Sequence, residues 1–232
     1  MSNEEASIGL AASALAAGLF ATRTAVAAEP RLLVFVHAAV KQRALEGELK
    51  QALPGVAVTA VGRIADFDRA LAQGQDAVLA LPVVLSARGL QPKLRGHRKG
   101  SASESYALVG ADRIPDAASV KSVGALDLLG REGTNGFVHT LLGRSLKVER
   151  VTKVEDLLPL LQMGRVEAIL LPSRLFGEIR TASRLNLLAR DVARSVELCA
   201  LSSTGPLAQP IISAVSRLPK ALSATLGVDE WR

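Results

Sequence analysis

Along this chain short apolar runs alternate with stretches whose hydrophobic positions recur at helical spacing. Residues 31–39 (RLLVFVHAA) form a continuous apolar run, the pattern of a parallel strand buried on both faces. Residues 41–53 follow with Leu45, Leu49 and Leu53 four apart, a single helical stripe, and Pro54-Gly55 closes it. Residues 56–61 alternate as a second strand, 64–72 read as a helix ended by Gly74, and 76–81 read as a third strand. A β-α-β-α-β order of this kind implies a right-handed parallel sheet flanked by helices.

The order then returns. A polar, basic stretch at 86–105 reads as a long surface loop, followed by a strand at 106–109 and a turn at 114–120. Strands at 123–129, 146–151 and 167–171 alternate with helices from about 134 to 142 and at 154–163. A connector at 176–190 leads to an apolar strand at 196–201. The tail, 207–226, has helical spacing at Ile211, Ile212, Val215, Leu218, Leu222 and Leu226, interrupted at Pro219. Segments 64–85 and 154–175 align without a gap at an offset of 90. Their six identities fall on Asp66/Asp156, Leu71/Leu161, Gly74/Gly164, Leu81/Leu171, Pro82/Pro172 and Leu85/Leu175. These mark a helix start, a helix face, a helix-ending glycine and a strand-ending proline. Two copies are too few for a solenoid and predict two similar α/β lobes.

Composition adds bounds. With 232 residues, 49% of them hydrophobic, the chain can bury a substantial core, and 3% aromatics leave Leu, Val and Ala to fill it. The net charge of +6 is scattered and lacks interleaved aromatics, so nucleic acid is not an expected partner. The basic run 93–99 (KLRGHRK) reads as a solvated loop, or as a contact for an acidic partner or lipid head groups. Cys199, alone in an apolar run, reads as a small buried hydrophobe. Residues 8–21 are apolar, too short to span a bilayer comfortably, and small residues at Ala25, Ala27 and Ala28 follow. Residues 1–28 therefore read as a secretory signal peptide cleaved near Ala28, although MSNEEAS is acidic where such leaders are basic.

The expected organisation is lobe one from 29–105 and 203–232, and lobe two from 106–202 with the crossover strands. Ligands of open parallel sheets sit beyond the carboxyl ends of the strands, here the cleft between two lobes. At this point the chain resembles a type II periplasmic binding protein, within that class the phosphate/phosphite/phosphonate-binding components of ABC transporters. The segment GQDAVLALPVVL at 74–85 is similar to the family's Gly-x-x-Asp-hydrophobic…Gly-Pro-x-x-Tyr. Residues 106–109 resemble its crossover strand, ASVKSVGALDL at 118–128 its Leu-x-Gly-Lys strand, and MGRVEA at 163–168 its Gly-x-Val-Asp-Ala turn. Gly133-Thr134-Asn135-Gly136 stands where the family carries Ser-Thr-Ser-Gly. The chain departs from the family at Leu85, the place of its pocket tyrosine, at Leu81, the place of the preceding glycine, and at Gly133 and Asn135, which lack hydroxyls.

The resemblance implies a two-lobed type II periplasmic-binding-protein fold, each lobe a parallel β-α-β-α-β sheet with flanking helices, joined by two crossover strands. It implies an exported, periplasmic, monomeric solute-binding protein that closes on a small anionic ligand, phosphonate-like or an organic acid, for a membrane permease. A binding-protein-like accessory or sensory subunit with a degenerate pocket is the alternative, with a sensor protein as its partner. Gly133, Thr134 and Asn135 either cap a helix or also hold an oxyanion there. Ser173 and Arg174 end the matching strand, and Arg174 either grips an acid group or is solvated. His37 ends the first strand as a pocket donor or a half-buried structural residue. Pro82, Val83 and Leu85 offer an apolar wall. The ligand expected is elongated, its anionic end toward lobe two and its body against that wall. No Ser/His/Asp order, Walker loop or dinucleotide fingerprint points to an enzyme. His37, His97 and His139 share no metal-ligand spacing, and no cofactor is expected.

Overall fold

The computed structural model describes residues 28–37 and 41–232. The apolar run at 8–21 lies outside the described residues, as do the small residues up to position 27. Lobe one opens with strand β1 (Arg31–Phe35), helix α1 (Gln42–Ala52), β2 (Ala57–Ala60), α2 (Ile64–Ala72), β3 (Ala77–Ala80) and a short α3 (Pro82–Ser86). β1 lies between β2 and β3, all parallel, with Leu32 level with Val58 on one side and Ala77 on the other. Burial on both faces explains the unbroken apolar run: Leu32, Leu33 and Val34 are fully buried.

The stretch expected as a loop instead contains β4 (Pro92–His97). Its backbone is claimed from both sides, by β10 (Ala200–Ser203) and by the short β11 (Glu230–Trp231). Its inward residues are Leu94 and Gly96, and its outward ones are basic, so it shows no hydrophobic period. A Cβ at Gly96 would lie 2.3 Å from Val228 and 2.8 Å from the Cys199 carbonyl, so the strand takes glycine there.

Lobe two contains β5 (Ser103–Ala111), β6 (Ser122–Leu126), α4 (Gly130–Leu142), β7 (Lys147–Val151), α5 (Leu157–Gln162), β8 (Ala168–Pro172), α6 (Phe176–Ala182) and β9 (Leu187–Glu197). The two sheets run β2-β1-β3-β10-β4-β11 and β7-β6-β8-β5-β9. Each has three parallel strands and then antiparallel ones, a mixed sheet rather than a wholly parallel one. The strand beside each parallel trio arrives from the other lobe: β5 follows β4, and β10 follows β9. The tail supplies α7 (Ala208–Val215) and α8 (Lys220–Thr225), split at Pro219 and packed on lobe one through Ile211, Val215, Leu222 and Val228.

The repeat is visible in the backbone. α2 and α5 both end on a glycine with positive φ, +78° at Gly74 and +65° at Gly164. Gly74 N–H donates to Leu71 and Gly164 N–H to Leu161, the identical leucines. Between the lobes the packing is apolar. Leu33, Phe35, Phe67 and Leu85 of lobe one share a single buried apolar cluster with Leu157, Ile169, Leu171 and Leu175 of lobe two.

Candidate interlobe site

Cavities lie between the lobes beside the apolar seam. The larger cavity, about 680 Å³, is lined from lobe one by His37, Lys41, Gln42, Arg43, Gly62, Arg63 and Asp66, and from lobe two by Thr152, Lys153, Val154 and Glu155. These residues follow the carboxyl ends of β1, β2 and β7, where the strand rule locates ligands. A second cavity, about 550 Å³, lies between α3 and α4, lined by Pro82, Val83, Leu129, Phe137 and the end of β9. The two share no lining residue.

His37 forms part of the larger cavity's wall. It is 7% exposed, and its Nε2 is buried without a hydrogen-bond partner. Burial pushes its pKa down to about 4; Asp127 works against that shift and Arg174 adds to it. The imidazole is therefore neutral near pH 7. Gln42 Oε1 is likewise buried and unpartnered, its side chain lying over Gly62.

The other residues singled out from sequence do not join His37. The helix expected from Thr134 begins at Gly130, so Gly133, Thr134 and Asn135 lie inside it rather than at its start. Thr134 is fully buried, and its hydroxyl accepts from the Leu128 and Leu129 N–H groups at 3.1 and 2.9 Å. It donates to Asp127 at 2.9 Å, which exhausts it as a ligand contact. Asp127 also holds Arg150 at 2.8 Å. Asn135 is half-buried with an unpartnered Oδ1, and Gly133 is exposed.

Arg174 lies outside the larger cavity and lines a smaller one, about 280 Å³, with Glu178 and α8. Its Nε donates to Glu104 at 3.2 Å and its Nη2 to the His37 carbonyl at 3.4 Å, tying lobe two to the end of β1. Both members of the pair are nearly buried, and burial raises the Glu104 pKa although Arg174 opposes it. Ser173 accepts from Ser105 and donates to Asp191 at 2.7 Å. Leu85 is fully inside the core, so the apolar wall reduces to Pro82 and Val83, in the second cavity. Cys199 is buried, and burial raises its thiol pKa to about 12. Among the described residues no group of histidines, cysteines and carboxylates has metal-binding geometry.

Sequence reasoning missed Gln42, Arg43, Arg63, Thr152, Lys153 and Glu155. The signal was the repeat: at the offset of 90, Gly62-Arg63 corresponds to Thr152-Lys153. Arg63 and Lys153 each occupy the residue before a helical turn, with similar extended backbones (φ −118° and −130°).

The strand order and the cavity between two like lobes define a two-lobed periplasmic-binding-protein fold. No family model and no curated protein matches the chain by sequence. Solved structures similar to it are type II periplasmic solute-binding proteins and related domains. The Bordetella pertussis BvgS VFT2 domain aligns at 12% identity over 85% of this chain and 91% of that one, with a TM-score of 0.56. The arginine-bound ArgBP from T. maritima aligns at 16% identity, covering 85% and 94%, with a TM-score of 0.54. The GluR0 ligand-binding core from Nostoc punctiforme, in complex with L-glutamate, aligns at 10% identity, covering 85% and 96%, with a TM-score of 0.56.

Proposed function

We propose that this chain is an exported binding protein that holds a small organic acid between its lobes and presents it to a membrane partner. The observation that carries the reading is the larger cavity, built by both lobes from equivalent positions. A ligand there touches both lobes at once, so its binding biases how they sit together, which a partner can read. Amino-acid-sized acids suit it better than phosphonates. The family's pocket tyrosine is replaced by a core leucine, and similar structures hold arginine and L-glutamate. A permease is the partner by analogy with the substrate-binding protein of an amino acid ABC transporter, which has the same fold. The reading is binding rather than catalysis, in the periplasm, with residues 1–28 as the leader.

One observation favours the sensory alternative. The apolar seam and the Arg174 tie join the lobes directly, and the BvgS VFT2 domain shares the fold. Both readings need the same cavity. A thermal-shift screen of amino and organic acids should find ligands that stabilise the wild type but not Gly62→Phe, whose new side chain points at Gln42 and fills the cleft. Equal stabilisation of the two proteins places the ligand elsewhere and overturns this reading.

A further inference from the structure

Taking that cavity as the ligand site, we infer that its ligand is a small dianion bridging Arg63 and Lys153, with a hydrogen-bond donor beside one acid group. The internal repeat puts these two cations at equivalent positions on opposite lobes, each lining the same cavity. Neither has a carboxylate within ion-pair distance among the described residues, and the same holds for Lys41 and Arg43 on the same wall. Of the two acids lining the cavity, Asp66 is already paired with Arg69 at 3.1 Å. The four cations outnumber the two carboxylates, with the surplus on lobe one. On lobe two Lys153 shares the wall with Glu155 but forms no ion pair with it, so both Arg63 and Lys153, one on each jaw, are left to take an acid group.

The lobe-one jaw is reinforced by backbone. α1 and α2, of 11 and 9 residues, both start at this cavity, and neither start has a side-chain cap. A helix start without a side-chain cap leaves its first N–H groups to an anion or to water. Two buried polar atoms in the same wall support a ligand independently of charge. His37 Nε2 and Gln42 Oε1 have no partner, and buried groups of this kind are normally satisfied. A ligand hydroxyl or amino N–H next to an acid group supplies the donor that the Gln42 carbonyl oxygen lacks. A neutral His37 can complete the contact as donor or acceptor.

The test is titration calorimetry with L-malate, succinate and L-serine. L-malate has two acid groups and a donor, succinate lacks the donor, and L-serine has the donor without net charge. L-malate should bind about tenfold tighter than succinate, the value of satisfying one buried polar group, and L-serine should bind weakest. In Gln42→Leu that preference should disappear, with succinate affinity retained. Arg63→Ala and Lys153→Ala should each weaken both dianions about tenfold and reduce the salt dependence of binding. Absence of binding by both dianions overturns the inference, as does L-serine binding tighter than succinate. If the screen's ligands still lose affinity in Gly62→Phe, that failure belongs to the ligand class and the cavity stands. If they do not, the cavity itself falls.

Discussion

His37 packs edge-on against Phe35, ring centroids 5.2 Å apart, with Nε2 buried and unpartnered. Its pKa falls from 6.5 to about 4, chiefly through burial. Between those pH values the unfolded chain binds a proton that the folded chain refuses, so stability is complete above about 6.5 and declines as pH falls to about 4. The loss from this one group is up to about 3 kcal/mol. Urea unfolding should show wild type losing about 2–3 kcal/mol more than His37→Phe between pH 7 and pH 4. Parallel pH profiles for the two would mean the imidazole is not held neutral. At this scale the sequence left His37 open between a pocket donor and a structural residue, and the fold puts it in the wall of the larger cavity while Thr134 and Arg174 lie elsewhere. Thr134 and Arg174 have the chemistry of ligand contacts, yet each is spent inside the protein, Thr134 on the turn ahead of α4 and Arg174 on Glu104. Which partner a polar side chain takes depends on tertiary neighbours that spacing does not reveal.

Among elements, the repeated helix end is the most sharply specified. Gly74 and Gly164 adopt left-handed conformations that L side chains rarely take, at the same place in the two copies. No heavy atom lies within 4 Å of a Cβ built at Gly164, so backbone strain alone governs its substitution. Gly164→Ala should cost about 1 kcal/mol in chemical unfolding, and a neutral effect would mean the helix end relaxes at no cost. Elements with one clean apolar stripe or two buried faces, such as α1 and β1, were legible from their pattern. β4 and much of β9 were not, because their outward positions carry Arg, Lys and Asp and backbone pairing holds them. The start of α4 was missed for a related reason: Thr134 looks like a cap but reaches back to the turn from inside the helix.

For the molecule as a whole, the two lobes were legible from the repeat, but not how they meet. Apolar positions in a buried seam look the same in sequence whether they face their own lobe or the other. Here Leu85, equivalent to Leu175 at the offset of 90, joins it in the interlobe core instead of lining a pocket. The proposed ligand space is instead the cavity lined by Arg63 and Lys153. Native mass spectrometry of protein purified from its own host tests this placement most directly. The wild type should carry one small-molecule adduct per chain, released on denaturation, and Gly62→Phe prepared identically should carry none. An adduct retained equally by both proteins would contradict a ligand held between the lobes.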